Sequence, residues 1–276
     1  MNMNLTVPDG AKPVVMTARQ SGSRISEFIR YFNIVRELAI ADFRLKYHDS
    51  ALGYIWSMLN PLLMFGVYYF VFTKIFHNSL PDYTLFLLIG IVNYAFFQDC
   101  TFSGMNALAA KSGIMKKIHF PNSIMIYAAS VTCLLSYMIN LLVLFSLIFM
   151  LKGFTPLALL IPVPILCLVI FSIGVSFLLA TLFAYFRDMG QIWNVLVLVI
   201  FWLSPVVFNV ETLPPPISTI VYFNPLTRIF VLMRHYLLYN HFEARFLIMT
   251  VVYSMSSLFI GYNLFKRHQN KFPELF

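Results

Sequence analysis

Long apolar stretches separated by short polar segments dominate the pattern along this chain. Ile118 to Leu151 carries no formal charge, and after a single lysine the same is true of Gly153 to Phe186. A helix needs about 20 mainly apolar residues to cross a bilayer, because each residue advances it by about 1.5 Å. Stretches of this length predict an all-α integral membrane protein.

The charged residues that interrupt the pattern divide the chain into six spans. The predicted spans are about residues 54–76, 83–108, 121–151, 155–186, 189–210 and 246–266. They form one six-span domain over residues 51–276, preceded by a flexible cytosolic tail at 1–24 and an amphipathic interface helix at 25–50. Because Lys and Arg accumulate in cytosolic loops and most of the 19 here lie on one side, both termini are predicted to be cytosolic.

The segment 25–50 is predicted to lie in the inner membrane interface. At 100° per residue its aromatic and small apolar side chains share one face, and Arg30, Glu37 and Arg44 lie opposite. The alternative is a soluble helix packed on the bundle. Candidate interface residues are Phe28, Phe32, Arg36, Phe43 and Arg44.

Two loops carry their own pattern. The cytosolic turn 111–121 combines three lysines with apolar residues before Pro121, which suits a short helix that docks into a partner protein; the alternative is a tight connection that merely retains basic residues. The outer segment 211–245 contains apolar stretches too short to cross, broken by prolines. We expect two short re-entrant or interfacial helices there.

Composition narrows the function classes. The chain is 60% hydrophobic and only 11% charged, whereas soluble domains carry about 25% charged residues. Its net charge of +8 follows from topology and anionic inner-leaflet lipid, so no nucleic-acid partner is indicated. The three cysteines lie in different apolar stretches, and the six histidines are scattered without paired carboxylates. We therefore predict no catalytic residue and no metal site.

Polar and aromatic side chains within the spans are candidates for a transport path. Asp99 is expected to line a wet vestibule, to pair with a base such as Arg187, or to cap a helix end. Asn60, Gln98, Asn140 and Asn194 suit bonds between helices or contact with cargo. Aromatic side chains of the first and fifth spans suit a channel for sugars, although such residues also form interface belts or face lipid. The candidate channel residues are Trp56, Phe65, Tyr68, Tyr69, Phe72, Trp193, Phe201 and Trp202.

Six elements in order carry a resemblance to one family. They are the amphipathic helix, Leu52-Gly-Tyr-Ile-Trp56, Asn60-Pro61, the lysine-rich turn ending His119-Phe-Pro121, Tyr185-Phe-Arg-Asp188, and Phe223-Asn-Pro-Leu-Thr227. Over roughly residues 25–271 the chain resembles the ABC-2 type permeases of bacterial polysaccharide exporters. The likeness is strongest to O-antigen export permeases, with capsule and teichoic acid permeases as near relatives.

The resemblance implies a homodimer in the bacterial cytoplasmic membrane that binds two copies of an ABC nucleotide-binding subunit and exports a lipid-linked polysaccharide. The alternative cargo is a drug or a simple lipid. The chain has no G-x-x-x-x-G-K-[ST] motif, so ATP and magnesium are expected in the partner subunit and no cofactor in this one. Candidate coupling residues are Lys111, Lys116, Lys117, His119, Phe120, Arg187 and Asp188. Candidate outer-gate residues are Pro214, Pro215, Asn224, Pro225, Arg228 and Arg234.

Overall fold

A computed structural model describes residues 24–47, 53, 55–71, 82–115 and 121–275. Within these ranges nearly every residue is helical and there is no β-strand, which confirms the all-α prediction. The helices are α1 (Arg24–Tyr47), α2 (Ile55–Tyr69), α3 (Tyr83–Ala110), α4 (Ser112–Met115), α5 (Ser123–Lys152), α6 (Pro162–Tyr185), α7 (Met189–Leu203), α8 (Pro215–Phe223), α9 (Pro225–Arg234), α10 (Ala244–His268) and α11 (Phe272–Leu275). Short 3₁₀ turns lie at Pro156–Leu160, Val210–Thr212 and Gln269–Lys271, and a π-helical turn lies at His235–Tyr239.

Within the described ranges, four helices are long and apolar enough to cross a membrane. They are α3, α5, α10, and α6 together with the 3₁₀ turn before it. Helices α8 and α9 would add a fifth span if the bent pair crossed. Helices α2 and α7 contain 15 residues each. The count of six spans and the orientation of the termini remain predictions.

The predicted span 189–210 is longer than the helix that forms there. Helix α7 ends at Leu203 because Pro205 has no backbone N–H and favours an extended conformation at Ser204. The chain then turns back, so that Val206 and Val207 are buried. Helix α2 likewise ends at Tyr69, within the predicted span 54–76, and residues 72–80 lie outside the described ranges.

Helix α3 is the central element of the bundle. Most of its surface is buried by α2, α5, α6 and α9, whereas α10 exposes most of its own. Gly104 permits the close approach of α6, because a Cβ atom at this position would lie 2.5 Å from Ser176 Oγ. Burial on most sides explains why α3 is apolar over most of its circumference.

Helices α6 and α10 form the most extensive pair in the bundle. They meet through small residues: a Cβ atom on Gly174 would lie 2.5 Å from the Leu258 backbone nitrogen, and one on Gly261 would collide with the Gly174 carbonyl oxygen. Small residues allow two backbones to approach closely, which favours association where the surroundings are apolar.

Helix α1 packs against the bundle along α5. Ala39 is buried there, and Thr132 Oγ1 donates to its carbonyl oxygen over 3.2 Å. Two ion pairs connect α1 to the central helix region, Lys46 with Asp99 at 2.8 Å and Lys111 with Asp42. Helix α1 thus packs on the bundle, and its place in the membrane interface stays a prediction.

The predicted interface residues of α1 have different surroundings. Phe32 is 60% exposed and suits contact with lipid, whereas Phe43 is half-buried. Arg36 is exposed and pairs with Glu37 at 2.8 Å, and Arg44 is exposed. The side chain of Phe28 lies outside the described part of the chain. The apolar face therefore serves packing on α5 as well as an exposed surface.

Candidate functional site

A groove runs between α2, α3 and α7, with a volume of about 360 Å³. Its walls combine aromatic rings with side-chain amides, and each of the three helices supplies one ring and one amide. The lining residues are Asn60, Pro61, Met64, Tyr68, Ile91, Tyr94, Ala95, Gln98, Asn194, Val197, Leu198 and Phe201. We refer to this space as the aromatic groove.

The rings of the aromatic groove contact one another across helices. Tyr68 of α2 stacks on Phe201 of α7 with centroids 5.4 Å apart, and Tyr94 of α3 meets Phe201 edge-on at 5.1 Å. The Tyr94 hydroxyl donates to the Val197 carbonyl, which fixes the ring. The groove thus offers apolar ring faces beside amides, the combination that matches the C–H faces and hydroxyls of sugars.

The other predicted channel residues lie elsewhere. Phe65 stacks on Tyr69 at 5.7 Å, and both are half-buried near the groove without lining it. Trp202 is 51% exposed beside Phe201. Trp193 is buried, and its indole N–H donates to Thr101 Oγ1 over 3.2 Å, so it packs inside the bundle. Phe72 lies outside the described residues.

A second space, of about 520 Å³, lies between α1, α2, α3 and α5; we call it the polar cavity. Asp99 lines it and pairs with Lys46 rather than with the predicted Arg187. The other lining residues are Trp56, Asn60, Pro61, Ala95, Phe96, Gln98, Phe102, Cys133, Ser136, Tyr137 and Asn140. Of the roles expected for Asp99, the structure shows an ion pair, and the wet vestibule stays a prediction.

The outer segment folds as two short helices, as its prolines and apolar stretches predict. Pro214 precedes α8, and Pro215 and Pro225 occupy the first positions of α8 and α9. The two helices meet at 101°. Asn224 holds this bend: its Oδ1 accepts from Leu226 N at 3.0 Å, and its Nδ2 donates to Ser204 Oγ at 2.8 Å.

Two arginines of the outer segment are integrated into the fold. Arg228 donates to the Tyr222 carbonyl over 2.9 Å and lies 5.2 Å from the Phe246 ring. Arg234 is only 2% exposed. Sequence reasoning predicted it as a gate residue, and the hydropathy pattern gave no signal of its burial, since arginine is rarely buried without a partner.

The buried Arg234 guanidinium is bound by backbone carbonyls. It donates to Phe86 O at 3.0 and 3.2 Å, to Pro205 O at 2.5 Å and to Val206 O at 3.1 Å. It also stacks 3.4 Å from the Phe86 ring centroid, and Gly90 leaves room for it. Arg234 therefore connects α9 to α3 and to the turn after α7.

The predicted coupling residues are only partly described. Lys111 pairs with Asp42 of α1, and Arg187 donates to the Leu275 carbonyl over 2.9 Å and lies 5.5 Å from the Phe183 ring. Asp188 is exposed at the start of α7. Lys116, Lys117, His119 and Phe120 lie outside the described residues.

Sequence reasoning missed the C-terminal segment. Phe272 of α11 is fully buried and packs on Phe265 with ring centroids 5.0 Å apart, and Asn122 Nδ2 donates to Gln269 O over 3.1 Å. Together with the Arg187 bond, these contacts join the end of the chain to the starts of α5 and α7. No local spacing signalled this contact, because the 3₁₀ turn Gln269–Lys271 bends the chain between α10 and α11.

Comparison with known proteins agrees with this architecture. The model of the ABC-2 type transporter family matches residues 35–238. The chain is 25% identical to the O-antigen export system permease protein RfbA of Klebsiella pneumoniae, over 88% of this chain and 95% of that protein. It is 25% identical to RfbA of Myxococcus xanthus, over 91% and 98%. It is 21% identical to the polysialic acid transport protein KpsM of Escherichia coli, over 85% and 93%.

The match to the family model spans well over half of the chain and includes the aromatic groove, the polar cavity and the bend at Asn224. Several helices are long and apolar enough to cross a membrane, so the protein is a multi-pass membrane protein. The chain belongs to the ABC-2 type transporter family.

Proposed function

We propose that this protein is the permease subunit of an exporter that moves a lipid-linked polysaccharide, most directly an O-antigen, across the bacterial cytoplasmic membrane. The observation that carries the proposal is the likeness, over 85–91% of the chain, to permeases named for O-antigen export and polysialic acid transport. ATP hydrolysis is assigned to a separate subunit that binds ATP and magnesium.

The aromatic groove supports a glycan cargo over a drug or a simple lipid. A polymer must slide without one tight site, and stacked rings beside amides offer many weak contacts of similar strength. Tyr68, Tyr94 and Phe201 supply ring faces, and Asn60 and Asn194 supply hydrogen-bonding groups. A drug or lipid site would instead be a compact, mainly apolar pocket.

The transport path is proposed to form between α2 and α7 of two copies of this chain. The exposed side chains along both helices support this assignment, since Leu63 and Val67 of α2 and Trp202 of α7 are 56%, 57% and 51% exposed within one protomer and do not line the groove. A second copy would cover them while leaving the aromatic groove open to the path.

Coupling to the ATPase is proposed to use the cytosolic turn 111–121 together with the loop at Arg187 and Asp188. The bond from Arg187 to Leu275 supports a role for this loop, because movement there would be transmitted to the C-terminal segment. The pairing of Lys111 with Asp42 links the same side of the bundle to α1. The lipid-linked glycan would enter from the inner leaflet beside α1.

The proposal is tested by depleting the protein in its native cell and labelling the surface glycan on intact cells and after lysis. We expect lipid-linked polymer to accumulate inside, and the wild-type chain to restore surface glycan. Tyr68→Ala should slow its appearance severalfold at an equal membrane level, whereas Phe259→Ala, an exposed phenylalanine of α10, should not. Normal surface glycan in depleted cells would contradict the proposal.

A further inference from the structure

The polar cavity contains more hydrogen-bonding groups than an apolar bundle requires. The side-chain amides of Asn60, Gln98 and Asn140 and the carboxylate of Asp99 all line it. Asp99 lies 16 residues after the start of α3, about 24 Å along a helix that rises about 1.5 Å per residue. Polar groups at this depth are costly, so their concentration in one space indicates a use.

Helix α2 separates the polar cavity from the aromatic groove. Both spaces are lined by the same four residues, Asn60 and Pro61 of α2 and Ala95 and Gln98 of α3. Pro61 supplies no N–H to the helix, so the α2 hydrogen-bond ladder is interrupted where the two spaces meet. A small displacement of α2 at this point would join them.

The chemistry of the cavity matches a sugar ring. Amides both donate and accept hydrogen bonds, as sugar hydroxyls do, and the Asp99 carboxylate accepts from two neighbouring hydroxyls. Trp56, 45% exposed at the cavity wall, offers an indole face to the C–H side of a ring. A volume of about 520 Å³ accommodates a short saccharide.

The charges argue against an anionic headgroup as the ligand. Lys46 is the one basic side chain among the lining residues, and its ammonium group pairs with Asp99 at 2.8 Å. A pyrophosphate placed here would meet the Asp99 charge as well as the Lys46 charge, so its net attraction would be small. A neutral, hydroxyl-rich ligand incurs no such repulsion.

We propose, on the basis of the proposed function, that the polar cavity binds a neutral sugar unit of the cargo before it enters the aromatic groove. The cavity is a loading site, and α2 is the partition that the sugar passes at Asn60 and Pro61. Asn140, Asn60 and Gln98 determine its affinity, and Gln98 and Asn60 contact the sugar on both sides of the partition.

The test measures binding to the full-length permease, purified with its ATPase subunit in lipid nanodiscs. Three probes are compared: the lipid-linked glycan from the native host, an oligosaccharide of its repeat unit, and the sugar-free polyprenyl pyrophosphate lipid. Asn140→Leu removes one of the three side-chain amides that line the polar cavity. Asn106→Leu is the matched control, because both asparagines lie on spans and donate to the carbonyl four residues earlier, but Asn106 does not line the cavity.

We expect Asn140→Leu to weaken oligosaccharide and lipid-linked glycan binding about tenfold, as the loss of one or two hydrogen bonds would. Asn106→Leu should bind both as the wild type does. Asn60→Leu should weaken binding of both glycan probes in the same way. Because Asn60 lies at an exposed position of α2, this second variant shows that the weaker binding does not come from misfolding of Asn140→Leu alone.

Two results would overturn the loading site while leaving the proposed function intact. The first is that Asn140→Leu and Asn60→Leu bind the oligosaccharide and the lipid-linked glycan as tightly as the wild type does. The second is that the sugar-free lipid binds the wild type as tightly as the lipid-linked glycan does and that Asn140→Leu weakens both by the same factor. Failure of the wild-type complex to bind the lipid-linked glycan at all would overturn both.

Discussion

Arg234 shows how one side chain can hold three segments together. Its guanidinium donates to the carbonyl groups of Phe86 in α3 and of Pro205 and Val206 in the turn after α7. A buried donor set of this kind stabilises only while every bond is made, because each orphaned carbonyl costs about 1–3 kcal/mol. Arg234 therefore fixes α9 to α3 and to the turn after α7, beside the Asn224 bond to Ser204.

The free energy of unfolding should depend strongly on Arg234. We expect Arg234→Met to lower the free energy of unfolding in detergent by about 3 kcal/mol or more, because three carbonyls lose their donors. Arg234→Lys should lie between that variant and the wild type. Arg245→Met, at an exposed arginine of α10, should change stability by less than about 0.5 kcal/mol. Equal stability of Arg234→Met and the wild type would contradict this role.

The sequence indicated which polar residues lie within the predicted spans but not which residues they contact. An acid inside an apolar stretch predicts a functional or paired group, and Asp99 is paired. Its partner Lys46 lies 53 residues earlier on α1, so no local spacing relates the two. For the same reason Trp193 could be predicted as an aromatic of the fifth span but not as a buried donor to Thr101.

Helix α10 depends on its contact with α6. Gly261 faces the Gly174 carbonyl so closely that an added methyl group must displace a backbone. Elsewhere in a helix, replacing glycine with alanine gains about 1 kcal/mol, because alanine has the higher helix propensity. Whether Gly261→Ala lowers or raises the free energy of unfolding therefore shows whether close packing or helix propensity dominates at this position.

We predict that Gly261→Ala destabilises the protein by about 2 kcal/mol, since overpacking between well-packed elements typically costs about 1–3 kcal/mol. At Gly190 the nearest atom would be 3.7 Å from the new Cβ, an ordinary contact, so Gly190→Ala should be neutral or stabilising. Thermal unfolding of the two purified variants makes the comparison. A stabilised Gly261→Ala would show that α6 and α10 are not packed this closely.

Elements were predictable wherever composition alone determines them. Uninterrupted apolar stretches predicted α3, α5 and α6, and the prolines before α8 and α9 predicted two short outer helices. The end of α7 was predicted too late because an apolar stretch continues past Leu203, whereas Pro205 stops the helix. The packing of α1 on α5 depends on tertiary contacts at Ala39 and Thr132, which an amphipathic pattern does not specify.

For the molecule as a whole, the aromatic groove and the polar cavity adjoin at one point of α2. The groove lies between helices that carry exposed apolar side chains, and the cavity is bordered by Lys46 of α1. From the sequence we singled out the rings of Tyr68 and Phe201 and the amides that line these spaces, but not the ring of Tyr94. The sequence did not predict that Asn60 and Gln98 line both, because this depends on how α2 rests on α3.

Transport by the reconstituted complex tests the central claim most directly. Proteoliposomes containing the permease and its ATPase subunit, with the ATP sites outward, would receive lipid-linked glycan from the native host, and a membrane-impermeant lectin would report glycan that stays outside. We predict that ATP causes progressive protection of the glycan from the lectin, and that a non-hydrolysable ATP analogue does not. Vigorous ATP hydrolysis without any protected glycan would contradict polysaccharide export as the function of this permease.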